Sequence, residues 1–405
     1  MIALLAPGAS EIAAEVALER RRGVARSPQF KVLASGLALI LAFAGCSTVG
    51  APPSLGVSAT SSTGATASPI MTPSRASSPR SSSTPTAAPT HAHGVFAATG
   101  STTVARYSAA ATLLNSGEVL VVGGDPGPAE LYDPATGKFR TTGAPVNWMV
   151  DPSSVLLGSG RVLLVNGTEV EIYDPSTGSF SVAGSFKTSR DTGKAILLND
   201  GRVLAVSGSG QQGVAASADL YDPTTDEVKP TGPMGTARGD FTATLLDDGR
   251  VLISGGTDQN GSALASAEVY DPKSGKFSRT GSMVTPRCCA TATLLNSGRV
   301  LIAGGSDTDS AELYDPTTGK FTATGSMTIG GAWQTATRLR DGQVLVTGGY
   351  GIASAELYNP ATAKFSPTGS MTTERSQHTA TLLRDGRVLI IGGVGSGTSA
   401  ELYWP

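Results

Sequence analysis

The chain has 405 residues, a formal net charge of −2, 15% charged residues and 51 glycines. This near-neutral balance argues against a nucleic-acid partner, which needs cationic charge gathered on one face. A hydrophobic content of 40% is ample for a globular core, and many short apolar runs cut by turn residues make the class all-β.

At the start, Arg20, Arg21, Arg22, Arg26 and Lys31 precede an apolar run from Val32 to Ala44. A basic front, a run too short to span a bilayer comfortably, and small residues before the cut describe an export signal over 1–46. Phe43-Ala44-Gly45-Cys46 resembles the bacterial lipobox, with phenylalanine where leucine is usual. The resemblance implies that Cys46 is lipidated and becomes the mature N-terminus. It would hold the protein at the membrane, facing outside the cytoplasm at the cell surface or in a periplasm. An ordinary secretory signal with an incidental Cys46 is the alternative. The acidic, Ala-rich stretch Met1 to Glu19 points to a true start further on, near Val24.

Residues 47–93 are almost entirely Ser, Thr, Ala, Pro and Gly, a composition that cannot bury a core. We expect a flexible tether of about 47 residues with a reach on the order of 35 to 40 Å. His91 and His93 at its end read as a solvated pair rather than a metal site.

From 94 onward the chain repeats. The unit is clearest at Thr291–Met327, where four period-two runs alternate with turns: Ala292 to Leu295, Arg299 to Ala303, Ala311 to Tyr314 and Lys320 to Thr324. Each run is too short for a helix, so one unit makes one four-stranded antiparallel sheet. Asn296-Ser297-Gly298 closes the first hairpin and Asp315-Pro316-Thr317-Thr318-Gly319 the last. The third-strand tyrosine recurs at Tyr132, Tyr173, Tyr221, Tyr270, Tyr314, Tyr358 and Tyr403, spaced 41, 48, 49, 44, 44 and 45 residues apart. Seven units of this length predict a seven-bladed β-propeller. Val95 to Ser101 matches the fourth-strand sequence Phe321 to Ser326, while the last unit ends one strand short at Tyr403-Trp404-Pro405. The N-terminal strand is therefore expected to complete the last blade and close the ring.

A hydrophobic strand ending in Gly-Gly, a tyrosine about ten residues later and an aromatic opening the fourth strand resemble the kelch repeat. The pair stands at Gly123-Gly124, Gly255-Gly256, Gly304-Gly305, Gly348-Gly349 and Gly392-Gly393, and the aromatic at Phe139, Phe180, Phe277, Phe321 and Phe365. Asn166-Gly167, Ser207-Gly208 and Val228 depart from the pattern, so the second and third blades are expected to be less regular. With phenylalanine in place of the usual tryptophan, the repeat is similar to propellers of the galactose oxidase type. That resemblance raises copper-radical oxidation, which needs two histidines and two tyrosines on the metal, one tyrosine cross-linked to cysteine. His378 is the single histidine of the blades, so no copper site, other metal or cofactor is expected.

Loops joining second and third strands share a face with the connections between blades, and these loops vary while the opposite hairpins repeat. Ser306 to Asp309 is short; Ser209 to Ala216 is long. Variation on one face of a rigid scaffold places binding there. Arginine stands ahead of the opening strand in five units, Arg106, Arg190, Arg238, Arg287 and Arg375, with Met149 and Gly331 in the others. These arginines either brace the scaffold or form a partial ring at the channel mouth that binds an anion such as an acidic sugar. Tyr107, Trp148, Lys187, Asp240, Phe241, Trp333, Gln334, Gln377 and His378 are the less repetitive candidates for specificity; Trp148 and Trp333 could stack on sugar rings. Adjacent Cys288 and Cys289 are small loop fillers, free thiols or a strained disulfide. No nucleophile elbow, zinc motif or phosphate loop is present. The expectation is a lipid-anchored monomeric binding module, without catalytic residues, for a protein or cell-envelope glycan. The alternative is a copper-free carbohydrate-active enzyme on the same face.

Overall fold

A computed structural model of the protein describes residues 93–149, 151–206, 208–210, 213–306 and 308–405. The export signal, Cys46 and the tether up to residue 92 lie outside the described residues, as do Gln211, Gln212 and Asp307 of the variable loops.

Seven four-stranded antiparallel sheets follow one another, with strands in sequential order inside the first six, while the N-terminal strand supplies the outer strand of the seventh. Blade 1 runs from Ala110 to Thr141, blade 2 from Ser153 to Ser185, blade 3 from Lys194 to Pro230 and blade 4 from Thr242 to Arg279. Blade 5 runs from Thr291 to Ala323, blade 6 from Thr335 to Pro367 and blade 7 from Thr379 to Trp404. The first strands of neighbouring blades touch all the way round, blade 7 meeting blade 1, so they line a closed central channel.

Sequence pattern explains each position. Second strands such as Val119–Val122 and Val388–Ile391 are buried along their whole length, because both of their faces pack against neighbouring blades. Fourth strands are the outer edges. Four of them open on lysine (Lys138, Lys276, Lys320 and Lys364), which discourages edge-to-edge pairing with another molecule. Each of the seven apolar clusters straddles one blade interface; at the junction of blades 7 and 1, Val119, Val121 and Tyr132 meet Leu383, Leu389 and Ile391.

The repeated tyrosines are fully buried, and six of their hydroxyls bond a threonine just beyond the preceding blade's fourth strand, as in Thr280 to Tyr314 at 2.9 Å and Thr99 to Tyr132 at 2.8 Å. Tyr221 differs. Its hydroxyl donates to Asp226 at 2.5 Å, where most other blades have the turn glycine and blade 6 has Ala363, and burial together with this carboxylate pushes the phenol upward. Blade 2 carries a bulge between Val170 and Glu171, and blade 3 adds a small ribbon, Ser209–Gly210 against Gly213–Val214. The two blades that depart from the repeat are thus the two that depart in structure.

Ring closure follows the expected pairing. Val95–Ala98 joins the last blade antiparallel, with Val95 opposite Trp404 and Phe96 opposite Tyr403. The Phe96 and Tyr403 rings lie 4.8 Å apart, matching the aromatic pair of the intact blades. Deleting 95–101 should therefore lower the melting temperature by on the order of 10 °C, while an equal deletion within 47–93 leaves it unchanged; equal melting curves would refute closure as a stabilising device.

Candidate functional site

The five arginines are inside the blades, not at the channel mouth. Their side chains are 0 to 1% exposed, and each pairs with an acid two residues before the blade tyrosine. Arg106 meets Glu130 at 2.7 Å, Arg238 meets Glu268 at 3.2 Å, Arg287 meets Glu312 at 3.0 Å and Arg375 meets Glu401 at 2.6 Å; Arg190 meets Asp219. The Nη1 group reaches backbone carbonyls at the end of the second strand and in the loop to the third, as Arg287 does to Gly304 and Ser310, while Nε of Arg190, Arg238, Arg287 and Arg375 has no partner. A ring of arginines open to an anionic ligand is corrected on this ground.

Their partners were not singled out from the sequence, although an acid stands at that register in all seven units. These glutamates also accept backbone N–H groups from the connection between blades: Glu312 from Val284 and Thr285, Glu268 from Gly235 and Thr236. In blade 6, where Gly331 replaces arginine, Glu356 accepts from the Thr328 and Ile329 amides and from the Thr328 hydroxyl. Removing only the cation strands a buried carboxylate, so Arg238→Met should destabilise by about 3 to 5 kcal/mol in denaturant unfolding, and adding Glu268→Gln should recover part of that loss. A neutral single variant would refute the brace.

Past the arginine, each connection turns into its opening strand through a residue with left-handed backbone: Ser108, Asp151, Thr192, Asp240, Cys289, Trp333 and Gln377, with φ between 46° and 62°. None is glycine, and holding bulky residues there costs about 1 to 3 kcal/mol each unless the surroundings enforce it. The surroundings are one another. Gln377 N–H donates to Trp333, Ser108 to Gln377, Asp151 to Ser108, Cys289 to Asp240 and Trp333 to Cys289, at 2.8 to 3.1 Å, forming a backbone belt around the axis.

Inside the belt lies a cavity of about 330 Å³ to which all seven blades contribute. Its size falls at the lower end of small-ligand sites. Of the nine specificity candidates, Asp240, Phe241, Trp333, Gln334, Gln377 and His378 come together here, while Trp148 does not. Trp148 is 60% exposed on the outer rim, its Nε1 donating to the Gly124 carbonyl. Sequence reading passed over Ser108, Asp151 and Lys194. Lys194 breaks a pattern, standing first in its strand where the other blades have Ala, Ser or Thr.

Burial pushes the Asp240 carboxyl up; Lys194 opposes this and the Asp151 charge adds to it. Burial, then the Arg375 charge, pulls the His378 imidazole down to about 3. Its Nε2 lies 2.9 Å and 3.0 Å from the Thr335 and Thr347 hydroxyls, and its Nδ1 has no partner. Cys288 and Cys289 are half-buried free thiols. Adjacent Cα atoms, about 3.8 Å apart, sit closer than an unstrained disulfide allows. An unfolded histidine titrates near pH 6.5, so below that value the unfolded chain takes up a proton that native His378 refuses. Stability should fall by on the order of 3 kcal/mol between pH 7 and pH 4 for this group, and His378→Gln should flatten that slope in urea unfolding; an unchanged slope would assign it to other residues.

Comparison with known proteins places this geometry. The Kelch motif model matches residues 241–284. Among solved structures, a fungal alcohol oxidase of the AA5 family in complex with copper is 18% identical, with a TM-score of 0.63 over 76% of each chain. A protein described as YjhT is 14% identical, with a TM-score of 0.49 over 62% of this chain and 92% of that one. No curated protein matches the sequence. At these identities the likeness is one of fold. The oxidase's copper does not fit the residues here: His378 is the one blade histidine, its Nε2 is engaged by two threonines, and no group of three His, Cys, Asp or Glu among the described residues could hold a metal ion. Repeat pattern and ring geometry agree: the chain is a seven-bladed β-propeller that carries a Kelch motif at residues 241–284 and is similar in fold to an alcohol oxidase of the AA5 family.

Proposed function

We propose that the chain is a binding module held outside the cytoplasm by lipidated Cys46, and that it engages a protein partner through the face bearing the variable loops. Kelch propellers commonly mediate protein interactions, and the observation that carries the reading here is where the exposed apolar side chains stand. Seven large hydrophobics are exposed among the described residues: Val146, Trp148, Val182, Val284, Ile329, Tyr350 and Val394. All but Val182 sit on interblade connections or second-to-third-strand loops, hence on one face. Apolar side chains grouped on one rim of a rigid scaffold suit a macromolecular contact.

The test compares the full chain with a Val284→Asp, Tyr350→Asp double variant, both cross-linked in native cells. One protein should be recovered with the wild type and reduced about tenfold with the variant, since such anchors carry much of an interface's energy. Recovery that is equal for both would reject this face. A wild-type-selective signal on a glycan array instead would replace the protein partner with an envelope glycan.

A second reading, a carbohydrate-active enzyme, draws on Asp151 and Asp240 lining one cavity with Asp240 shifted toward its protonated form. It requires release of reducing ends from envelope polysaccharide that disappears in Asp240→Asn.

A further inference from the structure

The cavity inside the belt is lined by two acids and one base, Asp151, Asp240 and Lys194. Within the blades, each of the five buried arginines meets an acid directly, and the two acids without an arginine, Glu171 and Glu356, accept backbone N–H groups instead. In the cavity, Asp151, Lys194 and Asp240 come from three consecutive blades, and among the described residues none of the three is in an ion pair. His378, the other titratable wall residue besides Cys289, is buried with its Nε2 beside the Thr335 and Thr347 hydroxyls, so the acids outnumber the bases lining the cavity by two to one. Lys194 is in effect a tethered ammonium already drawn to this spot, and one carboxylate remains without a counter-charge.

The rest of the wall fits an organic cation. Trp333 stands just ahead of the first strand of blade 6, three blades from Lys194, and is a half-buried residue of the cavity lining. An aromatic face next to a partly desolvated site attracts an ammonium or guanidinium group. The belt consumes the backbone N–H groups of Ser108, Asp151, Cys289, Trp333 and Gln377, donors that an anion would otherwise use. His378 adds a buried Nδ1 without a partner.

We propose that this cavity is a binding site for a protonated primary amine, and that in the complex it takes a lysine side chain projecting from the protein partner into the channel mouth. The assignment rests on the protein-binding reading above. Asp240 and Asp151 receive the ammonium, Trp333 covers the methylene stem, and the apolar rim surrounds the point of entry.

The test is calorimetric titration of the purified full chain with Nα-acetyl-lysine N-methylamide, its norleucine counterpart, acetate and glucose. The lysine compound should bind saturably and the other three should not. Asp240→Asn and Asp151→Asn should each weaken binding about tenfold, and Lys194→Met should strengthen it a few-fold by removing the competing ammonium. Thermal melting of each variant verifies folding, and the ligand series on the wild type decides the matter if a variant fails. Binding of acetate or glucose in preference to lysine, no binding at all, or Lys194→Met that weakens binding would each overturn the proposal. The Val284→Asp, Tyr350→Asp variant reports separately on the apolar face. If it loses the protein partner while the wild type ignores the lysine compound, the cavity assignment fails and the binding face stands.

Discussion

The spacing of the ring depends on one contact, a backbone carbonyl pressed against a glycine pair. In the five blades that have the pair, it ends the second strand, and the carbonyl comes from the connection leading into the next blade. Gly256, Gly349 and Gly393 donate to the carbonyls of Arg287, Arg375 and Arg106 at 2.8 to 2.9 Å, and Gly305 does the same to Gly331. A Cβ on Gly255, Gly348 or Gly392 would collide with these carbonyls, and each of these glycines has positive φ. Glycine is thus required twice over, for conformation and for approach. That the contact persists where arginine is absent, at Gly331, shows that it is a property of the backbone path.

The buried ion pair is built on that contact. Burying a guanidinium and a carboxylate together gains little over packing apolar groups in the same volume, so stability alone is a poor explanation for repeating the pair. What it does is geometric. The guanidinium fork ties the end of the second strand to the third, and the carboxylate holds amides of the incoming connection. In five blades one charge pair therefore braces the chain where it enters the axis, while Asp151 and Trp333 hold the same left-handed backbone behind Met149 and Gly331 without it, so that conformation belongs to the backbone path.

This ordering explains what was legible in the sequence. Strand, turn and ring closure were readable because period-two alternation, the Asp-Pro-x-Thr-Gly turn and the tyrosine spacing act locally and repeat. The arginines could be located but not oriented, since spacing fixes which residues share a register and leaves open whether a long polar chain points to solvent or folds back. The acid two residues before each tyrosine held the missing information: an unpaired carboxylate in an otherwise apolar strand calls for a cation, and arginine was the only one in register. The belt left no such sign. Ser, Asp, Thr, Asp, Cys, Trp and Gln share no chemistry, and left-handed backbone at non-glycine positions has no compositional signature.

That lack of shared chemistry separates scaffold from site. Glycine pair, arginine, glutamate, tyrosine and threonine recur because each makes the same contact in most blades, and a residue bound to that duty is not free to vary with a ligand. The belt positions need only a backbone conformation, so their side chains escape the repeat, with six residue types at seven positions. Lys194 extends the same logic into the channel wall, where the packing that selects Ala, Ser or Thr in the other blades gives no reason for an ammonium group. In a repeat protein, function is best sought where the fold demands the same backbone and tolerates a different side chain.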